Sequence, residues 1–336
     1  MNILLTSVGR RGYLVQYFKK ALNGNGKVYV SNSDASSPAF KYADEHVVSP
    51  LIYDDNYIDF LLEYCKEHEI KLLVSLFDID LYVLASNKDK FEKIGVTAVV
   101  SDKSFIEICN DKWLTYNYLK EHNISVPRTF LSVEETKEAL NNQDVSFPLI
   151  VKPRWGMGSL EIFTADDQEE LEIFYNKIKR NIEKSYLKYE ARQDINHCVI
   201  IQQKIIGEEY GVDIINDLNG NYRNTIIRKK IGMRAGETDA AEIVENNIIY
   251  EMTSKLAVLS KHIGNLDIDI LNDGEKYYIL EMNARFGGGY PFSHLAGVNL
   301  PLALINWTLG KENSEDLLSA EVGVVGRKDI QIIRLL

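Results

Sequence analysis

Residues 281–290 read Glu-Met-Asn-Ala-Arg-Phe-Gly-Gly-Gly-Tyr, and an apolar, β-prone run, Lys276-Tyr-Tyr-Ile-Leu280, leads straight into them. Side chains alternate along an extended chain, so Glu281, Asn283 and Arg285 are expected on one face. Three polar groups at the end of a buried strand are costly unless something charged meets them. A carboxylate and an amide oxygen suit a hard cation such as Mg²⁺, and a guanidinium suits an oxyanion. The glycines would let backbone come close to a ligand. A strand end with a salt bridge and a flexible turn would use the same residues, so the surrounding sequence has to decide.

Upstream, Leu266-Asp-Ile-Asp269-Ile-Leu271 alternates and Asn272-Asp-Gly274 is a hairpin turn. Residues 276–281 form the return strand, which sets Asp269 beside Glu281 across an antiparallel pair. Like charges opposed across strands are unfavourable without a cation. Asp269, Glu281 and Asn283 therefore make a candidate Mg²⁺ site, with Mn²⁺ as the alternative ion, of the kind phosphoryl transfer from ATP uses.

Residues 245–263 have the spacing of an amphipathic helix ended by Gly264. Met233 to Thr238 reads as a loop that could hold substrate. The strand 224–230 carries Arg228, Lys229 and Lys230, a basic cluster that points to a phosphate or carboxylate in a chain of net charge -11. Residues 198–213 read as a strand, a short Ile-Ile-Gly link and a second strand. Either this is a hinge between two lobes, with backbone groups near Gln202 to read an adenine edge and an acid for ribose hydroxyls, or it is a hairpin with a charged tip.

Residues 147–159 place Lys152 near the end of a strand and follow it with Trp155-Gly156-Met-Gly158-Ser159. Glycine-rich loops expose N–H groups that wrap phosphate oxygens. The Gly-Lys-Ser/Thr ending of a Walker loop is missing. A hairpin returning through Leu160 to Phe163 is compatible with a phosphate flap. Residues 103–122, with Asn110-Asp-Lys112-Trp, and 133–141 read as helical, and 167–193 as a solvated, charged helix.

The first 104 residues run strand (2–8), glycine turn (9–12), helix (13–22), strand (27–31) and acid (Asp34), the outline of a dinucleotide-binding unit. The full glycine fingerprint is absent, which argues against NAD and for a generic doubly wound sheet. A helix over 56–69 and strands at 71–76 and 96–100 continue the pattern. Asp78 and Asp80, after the strand 71–76, either cap the next helix or meet a substrate amine.

The chain has 336 residues, enough for two or three cores. Its acidic balance argues against nucleic-acid and anionic-membrane partners. No apolar run is long enough to span a bilayer, and no signal peptide is evident. Three scattered cysteines, Cys65, Cys109 and Cys198, suggest reduced thiols and a cytoplasmic setting.

Lys112, Leu149-Ile-Val-Lys152-Pro with its glycine loop, Gln202 to Glu209, Asp269 and Glu281-Met-Asn283-Ala-Arg285 occur in the order found in the ATP-grasp superfamily, which the chain resembles over roughly residues 105–310. Its likeness is greatest to a single synthetase unit of the carbamoyl-phosphate synthase large subunit and to stand-alone ligases similar to it. The resemblance implies a Rossmann-like first domain (1–104), an ATP-grasp small lobe with a phosphate flap (105–204) and a catalytic lobe (205–336), an α/β and α+β architecture. It implies that Lys112, Lys152, Gly156, Gly158 and Ser159 hold ATP phosphates, that Gln202, Lys204 and Ile205 face adenine, and that Glu209 takes the ribose. It gives Asp269, Glu281 and Asn283 the Mg²⁺ role, and Arg285 with Arg228 or Lys230 the acyl phosphate or substrate carboxylate. Such enzymes join a small-molecule carboxylate to an amine through an acyl phosphate, and a homodimer is the default expectation. After Arg285, biotin carboxylases continue Leu-Gln-Val-Glu-His, whereas this chain has Phe-Gly-Gly-Gly-Tyr, which argues against bicarbonate activation for biotin. A single unit without a glutaminase-like segment departs from a full carbamoyl-phosphate synthase. A non-catalytic nucleotide sensor on the same fold is the alternative, disfavoured by the retained lysines and metal ligands.

Overall fold

The computed structural model describes residues 1–156, 158 and 160–334. The strands β1 (Asn2–Thr6), β2 (Val28–Asn32), β3 (Glu45–Val48), β4 (Ile70–Ser75) and β5 (Thr97–Val99) form a parallel sheet in the order β3-β2-β1-β4-β5. Ile3, Leu4 and Leu5 are fully buried, as a strand covered on both faces requires. The helix Gly12–Leu22 lays Leu14, Val15, Phe18 and Leu22 against this sheet and ends at Asn23 in the left-handed region. Strand order reverses between β1 and β4, where open α/β sheets bind ligands.

A four-stranded antiparallel sheet follows, β6 (Thr129–Phe130), β7 (Leu149–Pro153), β8 (Phe163–Ala165) and β9 (Val199–Gln203), ordered β6-β9-β7-β8. The return strand begins at Phe163 rather than Leu160. The third sheet is antiparallel and six-stranded: β10 (Glu208–Asn216), β11 (Tyr222–Arg234), β12 (Glu237–Val244), β13 (Gly264–Asn272), β14 (Tyr277–Asn283) and β15 (Val325–Arg327), ordered β14-β13-β10-β11-β12-β15. β9 and β10 lie in different sheets, so residues 204–207 link two sheets and are not the tip of a hairpin. Met233 to Thr238, expected as a loop, is mostly strand; only Ala235 and Gly236 turn, both at positive φ.

Leu4 and Leu73 of the parallel sheet share one apolar cluster with Val212 and Ile268 of the six-stranded sheet. Leu149, Val151, Ile178 and Ile201 build a separate core under the four-stranded sheet. Among the described residues no helix is long and apolar enough to cross a membrane.

Local chemistry shifts several expected boundaries. The helical stretch 103–122 is two helices, Lys103–Asn110 and Lys112–Glu121, because Asp111 leaves the helix and caps the second one, accepting from Trp113 N at 2.9 Å and Leu114 N at 3.3 Å. The helix Asn247–Ser260 ends at Lys261, in the left-handed region, rather than at Gly264. Gly264 instead opens β13 at φ 74°, where a Cβ would come within 2.9 Å of Val99 Cγ1. Asp78 and Asp80 lie in the first turn of the helix Asp78–Ala85 and neither caps it. Asp80 is buried at the β1/β4 reversal, accepting from Thr6 Oγ1 (2.5 Å), Ser75 Oγ (2.8 Å) and Tyr57 OH (2.8 Å).

His262 is fully buried, with Nε2 against Ile214 O at 3.1 Å and Nδ1 against Ser260 Oγ at 2.9 Å. Burial holds its pKa down to about 4. The unfolded chain takes up this proton below its ordinary value of 6.5 and the folded chain does not. Stability therefore falls as pH drops from about 6.5 towards 4, by roughly 1.4 kcal/mol per unit. In urea unfolding at pH 7.5, 6 and 5, His262→Gln should be weaker than the parent at pH 7.5 but decline less steeply; an unchanged slope would exclude His262 as the titrating group.

Candidate active site

The site is built where the six-stranded sheet, the parallel sheet and the glycine loop meet. The hairpin β13–β14 pairs Asp269 with Glu281 and Asp267 with Asn283, in the register expected from the alternating sequence. Lys230 on β11 reaches across, its Nζ 2.7 Å from Asp269 Oδ1 and 2.7 Å from Glu209 Oε1 on β10. Burial disfavours that ammonium, but the two carboxylates outweigh it and raise its pKa. Glu281 and Asn283 differ from their neighbours: among the described residues neither side chain makes a hydrogen bond or ion pair. Both border two cavities, one beneath Trp155 and Gly156, the other beside Lys230, Arg285 and Gly158.

Two lysines approach Glu281 from the glycine-loop side. Asp111, besides capping its helix, takes the Arg154 guanidinium in two hydrogen bonds, from Nε at 2.8 Å and Nη2 at 2.7 Å. Such a fork-to-carboxylate pair fixes geometry as well as charge. It ties the start of the Lys112 helix to the end of β7, and Lys112 Nζ donates to Gly156 O at 2.5 Å. Lys152 Nζ donates to Gln202 Oε1 at 2.8 Å, and Gln202 Nε2 donates to Thr129 Oγ1 at 2.9 Å. The Gln202 side chain is thus turned to Lys152 and Thr129. Burial and then Lys112 lower the pKa of Lys152 to about 8, against the pull of Glu281. Lys112 is lowered by burial and supported by Glu281. Burial would raise Glu281, but Lys112, Lys152, Arg285 and Lys230 together hold it below the ordinary range. Asp269, its cross-strand partner, is raised by burial and by Glu281 against the pull of Lys230.

The third part of the site is a buried chain of alternating charges. Arg228, fully buried, pairs with Asp213, donates to Ser293 Oγ at 2.7 Å and meets Asp267 Oδ1 at 3.2 Å. Arg285 lies beyond the end of β14; its Nη1 is 3.6 Å from Asp267 Oδ2, and its Nη2 is 2.9 Å from Asp78 Oδ2 of the parallel-sheet domain. Burial and then Asp213 push Asp267 up to about 7 despite the two arginines. The glycines after Arg285 serve this chain of charges. A Cβ on Gly287 would fall 2.0 Å from Asp267 Cγ, and one on Gly289 2.8 Å from Arg228 Nε, whereas Gly288 is open. Two of the three glycines thus admit the protein's own ion pairs, not a ligand.

Asp269, Glu281, Asn283, Arg228, Lys230 and Arg285 border one cavity with Gly158. Lys112 and Gly156 border the adjoining one. Glu209 is engaged by Lys230, and Lys204 and Ile205 lie on the link between sheets, Ile205 buried. Ser159 lies outside the described residues. Asp213, Asp111 and Arg154 were missed: isolated charges in apolar or helical runs give no periodic signal. The residues Asp269, Glu281 and Asn283 fit a hard cation, being oxygen donors with two of the three unengaged. Among the described residues no cluster of three or more His, Cys, Asp or Glu is gathered as a metal cage.

Comparison with known proteins agrees with this geometry. Solved structures share the fold over nearly all of the chain, three of them as follows. Biotin carboxylase from Campylobacter jejuni matches with a TM-score of 0.75 at 16% identity, over 95% of this chain and 73% of that one. An L-amino acid ligase from Bacillus licheniformis matches at 0.72 and 18%, over 96% and 79%. N5-carboxyaminoimidazole synthetase from Staphylococcus aureus, complexed with ADP, matches at 0.71 and 15%, over 96% and 79%. Residues 3–99 match the PylC-like N-terminal domain. Residues 109–289 match the ATP-grasp domain, and the chain belongs to that family. Its members are ATP-dependent ligases that form C–N bonds.

Gly289→Ala is expected to cost about 2 kcal/mol through overpacking against Arg228, and Gly288→Ala to be near neutral. Denaturant midpoints of the two variants against the parent check this.

Proposed function

We propose that the chain is an ATP-dependent carboxylate–amine ligase, with ammonia as the alternative nucleophile, working through an acyl phosphate and dependent on Mg²⁺. The observation that carries this is the unengaged pair Glu281 and Asn283, bordering two cavities with Lys112 in one and Arg285 and Lys230 in the other. The division into units at 1–104, 105–204 and 205–336 belongs to the same reading.

In it, Lys112 and Lys152 bind the ATP phosphates and the loop Trp155 to Ser159 covers them. Gln202 fixes Lys152, and Lys204 and Ile205 face the adenine through backbone groups. Glu209 takes the ribose. Asp269, Glu281 and Asn283 would hold Mg²⁺ (or Mn²⁺), which when bound neutralises phosphate charge. A carboxylate is a poor electrophile until it is phosphorylated. The acid's oxygen attacks the γ-phosphorus, ADP departs, and the amine then attacks the acyl carbon and releases phosphate. Arg285, with Lys230 and Arg228, stabilises the anionic acid and acyl phosphate. Positioning and charge neutralisation suffice for phosphoryl transfer, so no covalent residue is required.

ADP release with a panel of acids and amines should depend on one acid and one amine together. Glu281→Gln should lower it by at least about 100-fold, the scale expected for loss of transition-state electrostatics. Acid-independent turnover unaffected by Glu281→Gln would sink the reading. A bicarbonate-plus-ammonia arm tests the narrower carbamoyl-phosphate-type chemistry, and sedimentation tests the homodimer. Because Lys152 titrates at about 8 in the free protein, phosphates that favour its charged form should draw in a proton above that pH. Calorimetry at pH 8.5 in two buffers of different ionisation enthalpy measures that uptake, which Lys152→Gln should reduce.

A further inference from the structure

Arg11 stands apart from the other guanidiniums of the cleft. Its Nη1 donates to Phe286 O at 2.8 Å, and the same carbonyl accepts from Arg285 Nη1 at 3.2 Å, so the two side chains are neighbours. Arg285 faces Asp78 and Asp267, and Arg228 faces Asp213 and Asp267. Among the described residues Arg11 has no carboxylate within ion-pair distance. It borders both the cavity of Asp269 and Glu281 and the adjoining one that reaches Tyr13 and Glu237.

The surroundings of Arg11 are organised for an anion. The turn that carries it is fixed on three sides: Gly9 N donates to Asn32 Oδ1 at 3.1 Å, Ser37 Oγ to Gly9 O at 2.7 Å and Arg11 N to Val8 O at 2.8 Å. The helix beginning at Gly12 has no acid in its first turn and no side-chain cap, so its N-terminal dipole is uncompensated. The Tyr13 hydroxyl lines the same cavity without a hydrogen-bond partner among the described residues. Burial and then Arg285 lower the pKa of Arg11 against the weaker pull of Tyr13, Asp78 and Asp267, and burial raises that of Tyr13. The Arg11 guanidinium thus has one hydrogen bond, to the Phe286 carbonyl, and no carboxylate partner, and the half-buried Tyr13 hydroxyl has no partner, among the described residues.

We infer that Arg11 and the Tyr13 hydroxyl receive the carboxylate of the acid substrate from the parallel-sheet side, opposite Arg285, and that Arg11 is a specificity-determining residue for small organic acids. This rests on the ligase reading and adds the first domain to its active site. An incoming carboxylate meets a cleft guanidinium that, among the described residues, has no ion-pair partner. An uncharged isostere leaves it unpaired, which is how buried polar groups discriminate.

The test separates nucleotide from acid. Parent, Arg11→Gln and Arg11→Lys are titrated calorimetrically with a non-hydrolysable ATP analogue and Mg²⁺, then with acetate, succinate, L-alanine and acetamide, each with and without nucleotide. At least one carboxylate should bind the parent and acetamide should not. Arg11→Gln should weaken that carboxylate by at least about tenfold, with Arg11→Lys in between, while nucleotide affinity stays within about twofold. If Arg11 only anchors the Phe286 carbonyl, Gln and Lys can each donate that one hydrogen bond and both variants will bind like the parent, which overturns the inference. Failure of every carboxylate to bind the parent also overturns it. Failure of the nucleotide arm instead strikes the ligase reading.

Discussion

Asp267 is the group on which the site depends. Its carboxylate lies between two buried arginines, Arg228 and Arg285, and each arginine holds a second acid, Asp213 and Asp78. Charges removed from water are expensive, and removing one member strands the others, so such a chain stands or falls as a unit. Three elements are bound to it: the β10–β11–β13 centre of the large sheet, the turn after β14 and the helix that begins at Asp78. The backbone at 287–289 follows from the same requirement, because only glycine leaves room for Asp267 and Arg228 at positions 287 and 289.

That chain of charges also explains why the parallel sheet belongs to the site. Arg285 reaches Asp78 at the carboxyl end of β4, and Arg11 returns from the end of β1 to Phe286. The β1/β4 reversal, where doubly wound sheets usually take a ligand, is instead filled deep down by Asp80 and its hydroxyl partners. Its rim faces the acid–base cluster of the large sheet. The four-stranded sheet has its own apolar core and meets the rest through contacts that include Asp111–Arg154, Lys112–Gly156, Tyr53 stacked on Tyr189 and the 204–207 link. Lys152, from the separately packed four-stranded sheet, and Lys230 and Arg285, from the large sheet and the turn after it, therefore converge on Glu281.

Much of this was legible in order along the chain. The alternation at 266–271, the Asn-Asp-Gly turn and the return strand were sufficient to pair Asp269 with Glu281, because a hairpin's register follows from its turn. The lysine before the glycine loop and the strand break at 204–207 were local signals too. Where local reading failed, a distant partner had changed the local preference. Asp111 leaves the helix and also holds Arg154, and Gly264, instead of ending the helix at Lys261, packs against Val99. Met233 to Thr238 became strand because β11 and β12 continue their pairing to Arg234 and Glu237.

The sequence by itself determined the elements, the order of the motifs and the acid–amide–arginine spacing at 281–285, since each is written in a period of two, a turn type or a run of apolar residues. Only the tertiary structure decided which of these charges are already neutralised. Arg228 and Arg285 read alike in sequence to Arg11, yet the first two face buried carboxylates and the third does not. Electrostatic free energy depends on separation in space and on burial, and neither is a function of distance along the chain.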